Sequence, residues 1–262
     1  MRFNESLTHI LSMITVVVAG VLVCVQTVLA LGVGVNYSIF ALLLLSLVLM
    51  ILACHKREQR PPAFDLKSAG KLKLYAFAVA GGFVVEMVCD LLGIYALITG
   101  NTTAYGGAGL LGATAVCALL SAFVFVMAAL SFGDAKYDFR RLSYAVFVPL
   151  FWSMLKMAQA LTEYISVGRD LLPTLKLISY IFLMAFFYCF AAESLRHEPA
   201  MKSTLFFSGA MFNAGVLYYA AYLSAVTARQ GKALIFDIGL MMTVFCVSHF
   251  AIFFRRSIVD RC

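Results

Sequence analysis

The sequence predicts an all-α, polytopic transmembrane helical bundle: a single integral membrane domain over residues 1–262, with about eight helices, N-in/C-in. Three observations predict it. Of the 262 residues, 63% are apolar and only 13% are charged, about half the charged share of a soluble domain. The apolar residues fall into runs of about 20, the length a helix needs to cross hydrocarbon. Lys and Arg, finally, crowd into alternate connections.

Runs of that length, broken by turn residues or charge, place the helices at 9–32, 37–54, 74–99, 107–132, 142–165, 172–194, 203–226 and 234–255. From Ile10 to Cys54 no side chain is charged, so the division between the first two helices rests on Gly32, Gly34, Asn36 and Ser38 supplying a turn. The first helix also has the charged start and small-residue exit (Ala30-Leu31-Gly32) of a signal peptide. Its apolar run is longer than a signal core, and a membrane helix is the expectation. A basic connection over 55–73, with Pro61 and Pro62, separates the second helix from the third and is read as a topology anchor on the inner leaflet. Gly100 to Gly107, with Asn101, Thr102 and Thr103, divides the third from the fourth. Aligning Tyr75-Ala76 with Tyr144-Ala145 superposes Lys71 on Arg140, Asp90 on Gln159 and Tyr95 on Tyr164. Matches this few follow from apolar composition and do not make a repeat.

Orientation follows from the basic residues. Arg2, Lys56, Arg57, Arg60, Lys67, Lys71, Lys73, Lys136, Arg140, Arg141, Arg196, Lys202, Arg255, Arg256 and Arg261 fall on one side, against Arg169, Arg229 and Lys232 on the other. The basic side is cytoplasmic. The net charge of +7 therefore reports topology and does not imply a nucleic-acid partner. The seven cysteines fall mostly inside apolar runs without C-x-x-C or a nearby His, which implies neither a disulfide framework nor a zinc site.

A charge near the middle of a membrane helix costs a few kcal/mol and calls for a partner or a purpose. Glu86 and Asp90 stand four residues apart on the third helix, hence on one face, where two acids can bind a cation, share a proton or accept an amine. Lys156, Gln159 and Glu163 form a second stripe on the fifth helix, running toward the outer surface. Lys176 on the sixth and Asp237 on the eighth fall in the same outer half, and Asn213, Tyr218, Tyr219 and Tyr222 add polar groups on the seventh. Converging, these faces would make a charged, aromatic-lined cavity in the outer half. The simpler reading makes Lys156 the neutraliser of Glu86 or Asp90, an ion pair that fixes helix register, and sends Glu163, Lys176 and Asp237 to the interface by snorkelling. Glu193 and His249 are the corresponding inner-side groups, with His249 expected to hydrogen-bond a neighbouring helix. Gln26 and Gly81-Gly82 are read as packing features.

Several classes are excluded. No lysine lies deep in the last helix for a retinal Schiff base, and there is no H-E-x-x-H, Walker A or G-x-S-x-G motif. Phe132-Gly133-Asp134 and Asp138 share fragments with intramembrane aspartyl proteases, but both belong to a short connection and no complete motif is present. His9, His55 and His197 lie at ends or in connections, so a membrane-crossing haem pair is not formed. No catalytic residue, metal or cofactor is implied. The expectation is a multi-pass protein of the cell membrane that binds a small solute or cation through Glu86, Asp90, Lys156, Gln159, Glu163 and Lys176, as a small secondary transporter or permease subunit. Its partners are membrane lipid and a membrane protein or second copy of itself. The rival from another class is a membrane-embedded sensor or accessory subunit acting through helix faces.

Overall fold

The computed structural model describes residues 2–29, 33–55, 70–100, 107–131, 144–167, 170–195 and 201–229, together with 242–244, 246–247 and 249–250. Among them are seven α-helices and no strand: α1 (Arg2–Leu29), α2 (Val33–His55), α3 (Gly70–Ile98), α4 (Ala108–Ser131), α5 (Phe147–Val167), α6 (Leu171–Leu195) and α7 (Met201–Arg229). Helical turns at 242–250 fall where the eighth helix was expected, and the remainder of 234–255 lies outside the described residues. Five segments are long and apolar enough to cross a membrane: Val35–Leu52, Leu72–Ile98, Ala108–Ser131, Tyr144–Ser166 and Leu171–Ala192. The protein is therefore membrane-embedded and helical. In α1 the apolar stretch Ile10–Gln26 is shorter than those five.

Helix ends depart from expectation in two places. Gly34, Asn36 and Ser38, expected in a turn, belong to α2. The first turn of a helix has unpaired N–H groups and tolerates such residues, so the break falls earlier. The basic connection is also shorter than 55–73, because α3 begins at Gly70 and takes in Lys71 and Lys73; residues 56–69 lie outside the described residues. The third boundary agrees. Gly100 adopts φ 76°, a left-handed conformation that glycine takes without a Cβ clash, and the Gly107 carbonyl accepts from the Leu110 and Leu111 amides at 3.0 and 3.2 Å to start α4.

Neighbours in sequence pack as antiparallel pairs, α3 on α4 most extensively, then α1 on α2, α6 on α7 and α5 on α6, while the α1–α2 hairpin lies against α7. Among the α7 residues whose burial is described, Leu223 is the exposed one and the rest are buried or half-buried. Packed in this way, α7 can carry Ser208, Asn213 and Tyr218 and is not among the five most apolar segments. Buried hydroxyls turn back onto their own helices, as Thr114 does to the Leu111 carbonyl (2.9 Å), Ser131 to Ala128 (2.7 Å) and Ser153 to Leu150 (2.7 Å). Such bonds satisfy a donor where lipid offers none.

The core is aromatic. Phe83 meets Trp152 edge-on at 4.8 Å and stacks on Phe125 at 5.7 Å. Phe250 stands perpendicular to both Phe125 and Phe190, which puts the last described turns between α4 and α6. Gly82 of α3 admits that segment, since a Cβ there would lie 3.1 Å from the Thr243 Cα.

Candidate buried charge site

The seam by which α3 faces the bundle is Leu72, Ala76, Val79, Phe83, Glu86, Asp90 and Gly93. Spacings of four and three alternate throughout, the pattern that keeps one stripe of a helix against its neighbours. Glu86 and Asp90 are therefore in the interior because of where they stand in a pattern set by apolar residues. α5, with Val146 in the turn just before it, repeats the device through Pro149, Ser153, Lys156, Ala160 and Glu163. Long side chains from the two helices meet. Phe83 matches Trp152 and Asp90 matches Lys156, so α3 and α5 run in the same direction.

Lys156 Nζ donates to Asp90 Oδ1 at 2.6 Å and forms an ion pair with Glu86 Oε1. The side chains are 6% (Lys156), 2% (Glu86) and 4% (Asp90) exposed. Glu86 and Lys156 stand near the centres of the apolar segments Leu72–Ile98 and Tyr144–Ser166. Two carboxylates against one ammonium leave the fully ionised group with one excess negative charge. Asp90 Oδ2 is buried and accepts no hydrogen bond among the described residues. A buried carboxylate oxygen in that position is stabilised by a proton or a cation.

Glu163 and Lys176, read from the sequence either as solute contacts or as side chains reaching for the interface, pair with each other at 2.7 Å, with side chains 15% and 12% exposed. The three-residue connection between α5 and α6, which Asp170 closes by accepting from the Thr174 amide and hydroxyl (3.3 and 2.7 Å), sets the two at the same level. Gln159 lies between this pair and Lys156 on the same flank and is partly exposed.

A polar cluster that sequence reasoning missed joins α1, α2 and α7. Asn213 Nδ2 lies 3.4 Å from Ser12 Oγ, Ser46 Oγ and Met50 Sδ, while Ser12 Oγ donates to the Ser46 carbonyl at 3.2 Å. Asn213 was noted, but serines in an apolar run give no sign of meeting it. Of the α7 tyrosines, Tyr218 and Tyr222 pack on each other at 6.2 Å. His249 meets the Phe212 ring. Asp237, Arg169, Asp134 and Asp138, and the Glu193 side chain, lie outside the described residues. Among the described residues no group of three His, Cys, Asp or Glu is placed to hold a metal.

Compared with protein-family models, with curated proteins and with solved structures, the chain matches none.

Proposed function

We propose that the protein is a small secondary transporter or permease subunit of the cell membrane, with about eight helices and both termini cytoplasmic, and that its coupling ion binds at Glu86 and Asp90. The observation that carries this reading is the buried group of two acids and one lysine near the centres of two apolar segments. A register-fixing ion pair needs one acid per base. The second acid leaves a site for one proton or monovalent cation, held by the carboxylates with Lys156 as their fixed counter-charge. Gln159, Glu163 and Lys176, nearer the α5–α6 end, are the contacts a solute meets on its way to that site.

The test is reconstitution of the purified protein alone in liposomes carrying an internal pH-sensitive dye, with sodium, potassium and small amines offered outside. Transport predicts solute-dependent proton movement that Glu86→Gln and Asp90→Asn abolish while the variants still fold. Movement unchanged in both variants refutes the site.

The near-complete enclosure of Lys156 by its two acids favours one other reading, an accessory subunit in which the group only holds α3 to α5. That protein would copurify with a larger membrane partner and carry no flux of its own.

A further inference from the structure

The two sides of the charged group, taken along the bundle axis, differ in chemistry. Toward lower residue numbers on α3 and α5 come Phe83 and Trp152, both fully buried and 4.8 Å apart. Phe125 and Phe187 close on Phe83, and Phe190 and Phe250 close on Phe125. Water enters a cavity only where it finds polar partners, and among these rings the Trp152 indole N–H is the buried polar group, a single donor where water needs about two to four partners. Toward higher numbers α5 presents Gln159 and then Glu163, three and seven residues beyond Lys156. Lys156 is 6% and Glu163 15% exposed, with Gln159 half-buried between them and Ala160, at 1%, closing the bundle side of the stripe. Glu163 stands four residues before the end of α5 and Lys176 five after the start of α6, which puts their ion pair about 6–8 Å inside the connection. The pair is neutral as a whole, so its own charge repels neither cations nor anions.

We infer that water and the coupling ion reach Glu86 and Asp90 along this single flank: the route opens at the α5–α6 connection, has the Glu163–Lys176 pair at its mouth and Gln159 as its relay, and ends at the Phe83–Trp152 floor. The inference rests on reading Glu86 and Asp90 as the ion site. It adds the side of the membrane from which that site is loaded and the residues that line the way. Gln159 suits the relay position because a primary amide both donates and accepts hydrogen bonds without carrying charge.

The test uses the full chain without its native cysteines, reconstituted in liposomes, and a membrane-impermeant cationic thiosulfonate added to one face at a time. Gln159→Cys reports the flank. Leu161→Cys, on the lipid side of α5, and Ser153→Cys, beside the ring floor, are the dry controls, and Asp170→Cys identifies the face that carries the α5–α6 connection. Gln159→Cys should react at least about ten-fold faster than both dry controls, because thiolate formation needs water, and only from the face that labels Asp170→Cys. Equal rates at Gln159→Cys and Leu161→Cys, or labelling from the opposite face, overturns the route. If Gln159→Cys does not fold, Glu163→Cys gives the same readout. Infrared detection of a protonated carboxyl lost in Asp90→Asn tests the proton form of the ion site separately. An inert Gln159→Cys with that band present removes the route and leaves the site, whereas a reactive Gln159→Cys with no band supports the route and removes proton binding at the site.

Discussion

Replacing Lys156 by Met is the sharpest test of how the charged group is held. The substitution keeps length and removes the only cation within reach of Glu86 and Asp90 among the described contacts. Two carboxylates on one face four residues apart have Cβ atoms about 5–6 Å apart; at an effective dielectric of about 20 their mutual repulsion is about 3 kcal/mol. Removing one partner of a buried ion pair costs about 3–5 kcal/mol, so Lys156→Met should lose at least that much. The neutralising variants behave differently. Asp90→Asn leaves Lys156 with Glu86, and Glu86→Gln leaves it with Asp90, a balanced pair in each case. Both should stay within about 1 kcal/mol of the parent protein, while the double variant, with Lys156 stranded, should fall with Lys156→Met. Reversible unfolding in mixed micelles, titrated with a denaturing detergent, would rank the four. Single neutralised variants that lose as much as Lys156→Met would refute the charge count, and an unaffected Lys156→Met would refute the burial on which it stands.

Three further outcomes follow from the packing. Gly82→Ala should destabilise by about 1–3 kcal/mol, since the new methyl meets backbone at Thr243 that cannot rotate away. Gly81→Ala, with nothing within 4 Å, should be neutral or gain up to about 1 kcal/mol from helix propensity, and thermal melting of the two side by side checks the contrast. Asn213→Leu should cost about 0.6–2 kcal/mol, the range for interhelical hydrogen bonds in membranes, and should speed proteolysis between α2 and α3 as the hairpin loosens. Glu163→Gln should change stability by less than about 1 kcal/mol because its pair with Lys176 is near the end of the bundle and partly exposed, so a large loss of flux in that variant, measured against its melting temperature, would reflect function.

Helices were legible because lipid demands long apolar runs with internal hydrogen bonding, and Gly100 marked the end of α3 through glycine's freedom at positive φ, with Gly107 accepting the first amides of α4. The Glu86–Asp90 pairing was legible as well: a spacing of four forces a shared face, and Lys156 was the mid-helix base available to answer it. That Lys156 would engage both acids could not be read, since spacing within one helix says nothing about the rotation of another. The same gap hid the cluster of Ser12, Ser46 and Asn213, whose members come from α1, α2 and α7. Glu163 and Lys176 were read as solute contacts or interfacial side chains and not as each other's partner, when the short α5–α6 connection was the signal that they sit opposite each other.

The place of α7 bears on how the chain is put together. α1 and α2 are made first, yet apart from each other they lean mainly on α7, whose first residue, Met201, lies well over a hundred residues downstream of His55. During synthesis the N-terminal hairpin thus waits in the bilayer, unattached to the growing α3–α6 group, until the seventh helix emerges. Contacts between such distant parts of a chain form late and slowly. The seventh helix works as the keystone, and a chain stopped short of it would leave the hairpin apart from the α3–α6 group.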